Sequence, residues 1–357
     1  MRSNQWVHWV YDRGNVPRQV ERLFEITSVS LEWFVPQAKD SQFSHAESGG
    51  VRAVARDVPV AVLAGHDLLQ VLDMRDSPAT HASLFQELPY SFRVSAWAPW
   101  ESIVVSPDGK LIVLAISCGV LVVDWKAGKP IWQKGHLEQE GRSNNALAFG
   151  GDKGQFLFVA GAHTVERWDL PTGRKLATLA TNQPVVKLLT TSRDGRVLLA
   201  GFSDDSSLGS LARTFAVWEA DKDQPLRRFV EPGLTAAGIS PDGQQIALSR
   251  CPEKGLVIYN WQTDQRKEVP LRLPSAASAA YRLYWAPDGK RVAAVVNGFP
   301  PSVFIYDAST WKPIAQWNCL RQGEMPSFSF TKDGVLLQLR GADLNALDVS
   351  GLPGLGE

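Results

Sequence analysis

The sequence predicts an all-β chain made by repeating one antiparallel four-stranded unit. Three observations carry this. A tight turn ending in Gly returns at a nearly constant interval. An apolar strand ending in an acidic or amide residue keeps step with it. The strand after each Gly turn is nearly all apolar.

The turn is written SPDG ending at Gly109, GDKG at Gly154, SRDG at Gly195, SPDG at Gly243, APDG at Gly289 and TKDG at Gly334, at intervals of 45, 41, 48, 46 and 45 residues. Asp-Gly between apolar runs signals a hairpin, because Gly accepts positive φ. ARDV at 55–58 reads as a first copy without the Gly. The second marker falls at Asp73, Asp124, Asp169, Glu219, Asn260, Asp307 and Asp348. After most of these comes a short polar turn and another strand, as in KPIWQ, RKLATL and KPIAQW. Each period therefore reads strand, Asp-Gly turn, strand, loop, strand, Asp-led turn, strand. Runs such as LIVLAI, FLFVAG and RVAAVV suit strands buried on both faces. Stacking four-stranded sheets face to face around an axis buries strands in that way.

With two markers in register, residues 41–350 resemble a WD-repeat-type β-propeller. RWDLPTGR, with its literal Trp168-Asp169, is the closest match, and SPDGKLIVLAISCGVLVVDW resembles the divergent bacterial repeats. The Gly-His pair that many such repeats carry is absent, so the family's His–Ser–Trp–Asp network is not carried over. Seven Asp-type markers predict a seven-bladed β-propeller of four-stranded antiparallel blades. The last blade is short, and residues 351–357 make only a tail. The N-terminal segment, 1–30, reads strand, Asp12-led turn, strand, and is expected to complete that blade and close the ring. Closure matters because an open edge exposes unpaired backbone groups. Gln5–Tyr11 and Asp343–Asp348 compete for the third position there. RQVERLFEI also permits a short helix, and an eighth blade would need two more strands between Leu31 and Gly50. Trp125, Trp168, Trp218 and Trp261 sit in or beside strands, where large rings fill the wedge between radial sheets.

Composition narrows the function. Hydrophobic residues make up 44% and charged residues 21%, an ordinary globular balance. Lys plus Arg equals Asp plus Glu at 37 each, which argues against a nucleic-acid binder. Cys118, Cys251 and Cys319 are widely spaced and form no CxxC, so neither a zinc knuckle nor a disulfide framework is signalled. The first residues lack the apolar core of a secretory leader, and no stretch approaches the about 20 apolar residues of a membrane span. A cytoplasmic protein without a membrane partner is the expectation. No GxxxxGK[ST], HExxH or GxSxG is present. His66 and His163 precede the third strands of their repeats, but two histidines make a weak metal argument. No cofactor is expected.

The loops divide into two faces. The Asp-Gly and Asp-led turns share one. The loops between strands two and three, and between blades, share the other and carry the sequence variety. Variable loops on a rigid frame are where binding usually lives. The candidates there are Tyr90, Phe92, Arg93 and Trp97 in one connection, Arg142 in GHLEQEGRSNN, and Tyr281 and Arg282 in LPSAASAAYRLYW. Arg250, Phe299 and Arg340 join them from the loops between strands two and three, beside a polar insertion at Gly201–Thr214. Aromatics interleaved with Arg are enriched at protein-interaction hot spots. Arginines outnumber acids on this face, which points to an acidic or phosphate-bearing partner. The plainer reading is that the tryptophans pack on blade edges and the arginines sit in solvent or internal ion pairs. The expected function is a non-enzymatic protein-interaction scaffold or recruitment subunit. The alternative is a propeller enzyme, hydrolytic or metal-dependent, gathering single residues from several blades at the channel mouth.

Overall fold

The computed structural model describes residues 29–30, 51–65, 68–73, 75, 80–83, 102–116, 119–135, 146–151, 154–160, 164–179, 185–203, 212–250, 255–270, 280–296, 302–318, 327–332, 334–340 and 343–348. Its smallest repeated piece is the Asp-Gly turn. The six turn glycines all take positive φ, between 69° and 84°. In the turn at 106–111, the Gly109 N–H donates to the Ser106 carbonyl at 2.8 Å. The Ser106 hydroxyl donates to Asp108 Oδ1 at 2.7 Å and accepts from the Leu111 N–H at 2.9 Å. Ser192 with Asp194 and Ser240 with Asp242 repeat the set. The APDG turn has no serine. It keeps the Gly289 N–H to Ala286 O bond at 3.0 Å and the Lys290 N–H to Asp288 Oδ1 bond at 2.9 Å.

The strands belong to two compact units, Trp33–Gly233 and Met1–Glu32 with Leu234–Glu357. Strand β1 (Val29–Ser30) belongs to the latter. In the 33–233 unit the first sheet holds β2 (Val51–Val54), β3 (Val60–Gly65), β4 (Leu68–Asp73) and β5 (Thr80–Ser83). The second holds β6 (Ser102–Val105), β7 (Leu111–Ile116), β8 (Gly119–Asp124) and β9 (Lys129–Gly135). The third holds β10 (Leu147–Gly150), β11 (Phe156–Ala160), β12 (Val165–Asp169) and β13 (Arg174–Leu179). The fourth begins with β14 (Val185–Thr191), β15 (Val197–Ser203) and β16 (Ala212–Glu219), and β17 (Arg227–Ile239) runs beside β16. From Leu234 onward β17 pairs instead with β18 (Gln245–Arg250). A fifth set therefore follows, continued by β19 (Gly255–Asn260) and β20 (Gln265–Pro270). The sixth holds β21 (Ala280–Trp285), β22 (Arg291–Val296), β23 (Ser302–Asp307) and β24 (Pro313–Asn318). The seventh holds β25 (Ser327–Phe330), β26 (Val335–Arg340) and β27 (Asp343–Asp348), with β1 at its edge.

Val29 pairs with Leu344 and Ser30 with Asp343. Asp343–Asp348 therefore holds the third place of the seventh sheet, and residues 29–30 supply the fourth. Gln5–Tyr11 and the helix reading of RQVERLFEI lie outside the described residues. Among the described residues there is no helix, and hence none long and apolar enough to cross a membrane. The insertion expected at Gly201–Thr214 is shorter than its polarity suggests. Its ends are strand, with Gly201 opposite Phe215 and Phe202 opposite Thr214, because burial of Phe202 and Phe215 extends the ladder past the Gly.

Alternation along the second strands explains the apolar runs. Ile112 and Leu114 of β7 pack with Val62 and Leu69 of the first sheet. Val113 and Ala115 point the other way, to Leu157 and Val159 of the third. Phe158 and Ala160 then meet Leu198 and Ala200 of the fourth. In the other unit, Val292 and Ala294 pack with Ala247 and Leu256, while Ala293 and Val295 pack with Phe328 and Phe330. Full burial contributes roughly 1.5–3 kcal/mol for each large apolar side chain.

Polar contacts then fix neighbouring sheets. Asp73 is fully buried and accepts two bonds from the Arg75 guanidinium, at 2.8 and 2.6 Å, and one from its backbone N–H at 3.1 Å, with Lys126 Nζ of the second sheet at 3.3 Å. Burial alone would raise its pKa, but the bonds and charge of Arg75 and Lys126 outweigh it and hold the carboxyl below its ordinary value. Arg75 also donates to Asp108 O at 2.9 Å. The first and fourth sheets are clasped directly. Arg56 donates to Ser192 O at 3.0 Å, and Arg193 meets Asp57 Oδ1 at 2.6 Å. Desolvation lowers the pKa of both arginines from the usual value.

The tryptophans fill space and also tie turns together. Trp125 Nε1 donates to Gly109 O at 2.7 Å, and Trp261 Nε1 to Gly243 O at 2.7 Å, joining the two turns of one sheet. Where Leu170, Ala220 or Ala308 stands instead, a backbone N–H makes the equivalent link, to Gln155 O, Arg196 O or Lys290 O. Trp168 stacks on Trp132 of the second sheet with ring centroids 6.1 Å apart. Trp125→Phe should lower stability by about 1–2 kcal/mol, because Gly109 O loses its donor at a buried site. Trp261→Phe should cost less, since Trp261 is only half-buried and water can replace its N–H. Thermal unfolding of the two variants checks the order, and an equal or reversed order would contradict it.

Candidate binding groove

Most of the candidates on the varied loop face fall where placement is not described. Tyr90, Phe92, Arg93, Trp97, Arg142 and Phe299 lie outside the described residues, as do His66, His163 and the three cysteines. Tyr281 stands in β21 and Arg340 ends β26, and their side chains also lie outside the described set. Arg250 ends β18 and is half-buried, with its Nη2 donating to Glu268 Oε1 at 3.0 Å. Arg282 is exposed on β21. Those two strand ends are held side by side. The Ala280 N–H donates to Ser249 Oγ at 3.0 Å, and the Thr235 hydroxyl lies 3.1 Å from Ser249 O and 2.6 Å from Ala280 O. Glu231, one acid near this face, is buried.

A concave site with described walls lies on the opposite, turn-bearing face. A groove of about 540 Å³ runs between the Asp-Gly turn of the fifth set and the two turns of the sixth sheet. Trp285, Pro241 and Pro287 give it apolar lining, and Asp242, Asp288, Asp307 and Lys290 give it charge. The Trp285 N–H is already used, donating to Gly238 O at 3.1 Å. Its ring meets Trp311 edge to face, with centroids 5.6 Å apart and an 87° interplanar angle.

Trp311 holds that position in a left-handed backbone, at φ 61°. The equivalent fourth residue after the strand-ending Asp or Asn is Gly128 at φ 64°, Gly173 at φ 66° and Asp264 at φ 61°. The turn thus demands positive φ, which Gly adopts freely and a bulky residue adopts only at a cost of roughly 1–3 kcal/mol. Burial of the indole and the contact with Trp285 offset it.

The carboxylates are fixed by the turns they begin or cap. Asp307 Oδ1 accepts from the Ser309 hydroxyl at 2.6 Å, the Thr310 N–H at 2.8 Å, the Ser309 N–H at 3.0 Å and the Thr310 hydroxyl at 3.0 Å. The Ser309 hydroxyl and the other donors hold its pKa down to about 2, against a small opposing effect of burial. Asp242 Oδ1 accepts from Ser240 Oγ and the Gln244 N–H. Asp288 Oδ1 accepts the Lys290 N–H, and its Oδ2 lies 3.5 Å from Arg291 Nη1. Among the described residues, no partner takes Oδ2 of Asp242 or of Asp307. No three His, Cys, Asp or Glu side chains converge to hold a metal among the described residues either.

Sequence reasoning treated these turns as frame and passed over the groove. One signal was present. In the two aligned hairpins, DLPTGRK and DASTWKP, Trp311 stands where Gly173 stands.

No protein-family model and no curated protein sequence matches the chain. Its likeness is to solved structures. A chain of the crystal structure of the mitotic checkpoint complex is similar with a TM-score of 0.63 and 16% identity, over 88% of this chain and 96% of that one. A chain of Kuenenia stuttgartiensis hydrazine synthase is similar with a TM-score of 0.65 and 15% identity, over 88% of this chain and 99% of that one. With its succession of antiparallel four-strand sets, the chain has an all-β fold of the β-propeller type.

Asp307→Asn keeps an acceptor at the turn and removes the charge. Because the folded pKa is about 2, below the ordinary carboxylate value, the charge stabilises fully above that ordinary value and is lost as pH falls through 2. The stability gap between wild type and Asp307→Asn should be flat from pH 7 to about 5, then shrink steadily on acidification. Melting curves across that range test it, and a gap that widens in acid would show the opposite shift.

Proposed function

We propose that this chain is a divergent WD-repeat-like propeller of seven blades that acts without catalysis. It is a cytoplasmic scaffold or recruitment subunit that holds a protein partner on its varied loop face. The supporting observation is the direction in which its carboxylates are shifted. Asp73 and Asp108 are held below the ordinary value by hydrogen bonds and neighbouring cations, and Asp307 by hydrogen bonds alone, in each case outweighing burial. A general acid or base works best with a pKa near the operating pH. These groups have moved away from it and stay ionised, Asp73 as part of the frame and Asp307 at its turn.

The structural neighbours support the scaffold reading without deciding it. One belongs to a named multi-protein complex and the other to a named synthase. One fold hosts many functions, so the choice rests on side-chain chemistry. On the varied face, Arg282 is exposed on β21 next to the end of β18, where half-buried Arg250 pairs with Glu268, and arginines so placed suit an acidic or phosphorylated segment.

The test is a pull-down of the tagged full chain from native extract, beside an Arg250→Ala/Arg282→Ala variant with unchanged circular dichroism. The wild type should retain a stoichiometric protein partner, and the variant should retain about tenfold less. Recovery of no partner at any salt concentration would defeat the scaffold reading. Equal recovery by both proteins would move the partner off this face.

A further inference from the structure

We propose that the turn-face groove of the fifth and sixth sets is a second docking site, built for a positively charged peptide segment. An Arg or Lys side chain would lie along Trp285, with its head group against the free oxygens of Asp242 and Asp307. This surface is separate from the varied loop face and does not depend on the reading of that face.

Four observations converge on a basic occupant. The first is size, because about 540 Å³ lies within the range of sites that take small ligands or a few side chains. The second is charge. Three carboxylates line the groove against one ammonium, Lys290, giving a net charge of 1 − 3 = −2 from the lining residues. The third is the division of labour within each carboxylate. The turns use Oδ1 of Asp242 and Asp307 and leave Oδ2 as an acceptor held in place before any ligand arrives. Such fixed acceptors bind with little reorganisation. The fourth is the aromatic wall. Trp285 has committed its N–H to Gly238 O, so what it offers a ligand is its π surface. An indole ring is the best aromatic partner for a guanidinium or ammonium. Trp311 props that ring by taking a backbone conformation that costs energy, and strain of this kind gathers at ligand-holding sites.

Other occupants fit less well. A bare metal ion would need convergent ligands, and among the described residues no such trio exists. A nucleic acid or an acidic segment would meet like charge. A basic side chain has the reach to touch carboxylates that do not converge, and an apolar stem to lie on the ring.

Fluorescence anisotropy with the full chain tests the assignment. The probe is a short labelled Gly-Ser peptide carrying arginines, compared with glutamine and glutamate versions. The arginine peptide should bind most tightly and weaken as salt rises. Asp242→Asn/Asp307→Asn keeps the Oδ1 acceptors of both turns and should weaken it about fivefold to tenfold, the combined effect of two exposed charge contacts. Asp221→Asn, an exposed acid in the other unit, should change nothing. Lys290→Gln removes the competing cation and should tighten binding, a gain that partial unfolding cannot imitate. Equal affinity for the arginine and glutamine peptides overturns the proposal. So does equal affinity of the double variant and the Asp221→Asn control, or a Lys290→Gln variant that fails to bind more tightly.

Discussion

A strand that is apolar on both faces can exist in water only between two other layers, and that constraint organises this molecule. The second strand of each repeat is such a strand. Ile112 and Leu114 must be covered from one side, and Val113 and Ala115 from the other. No single four-stranded sheet can do both, so each repeat needs a neighbour before and after it. The edge of the seventh sheet answers the same pressure differently. A segment from far upstream, Val29–Ser30, pairs with β27 and occupies backbone groups that would otherwise be bare.

Where sheets of one unit pack by their faces, turn residues meet residues of another sheet. That is why so many polar side chains of the repeat bond outside their own hairpin. Arg75 leaves the first sheet to reach Asp108 O in the second, and Arg56 and Arg193 join the first sheet to the fourth. A conserved-looking turn would be only a local device in an isolated hairpin. Here it becomes the joint between layers. At Asp73 the joint also neutralises a charge, through Arg75 and Lys126, which explains why that group can be fully buried and still ionised.

The fold was legible because periodicity survives divergence. The Asp-Gly turns demand a residue at positive φ, and Gly at 109, 154, 195, 243, 289 and 334 supplies it. The apolar runs marked the sandwiched strands for the reason given above. Strand ends were less legible. Polar residues around Gly201–Thr214 looked like a long loop, yet two buried phenylalanines carry the ladder inward from both ends. The surplus strand of the last sheet was undecidable from pattern alone, since Gln5–Tyr11 and Asp343–Asp348 have similar alternation. Only pairing distinguishes them. The groove was illegible for a different reason. Its acids belong to the very turns that repeat, and repetition makes a residue look structural. What sets Asp242 and Asp307 apart is that they face one another's sheet across a cavity lined by Trp285, a relation between residues far apart in sequence.

The same turn chemistry therefore serves two ends, and geometry decides between them. A carboxylate has two oxygens, and an Asp-led turn needs one. Where a cation from the adjacent sheet reaches the other, as Lys126 reaches Asp73 Oδ2, the group is consumed by the frame. Where no such cation arrives among the described residues, as at Asp307, the turn's donors all take the first oxygen and leave the second. The structural bonds do not compete with recognition in that case. They lower the pKa and fix the rotamer, so that the free oxygen is anionic and correctly aimed at any ordinary pH. A propeller can acquire a binding groove by this route without gaining any motif. It needs only to lose a bridging Lys or Arg at one joint and place an aromatic ring beside the gap. The substitution of Trp311 into a glycine position is the sort of local mismatch that such a change would leave behind. Nothing in the turn itself asks for an indole, and its cost is offset by its burial and by the ring it supports.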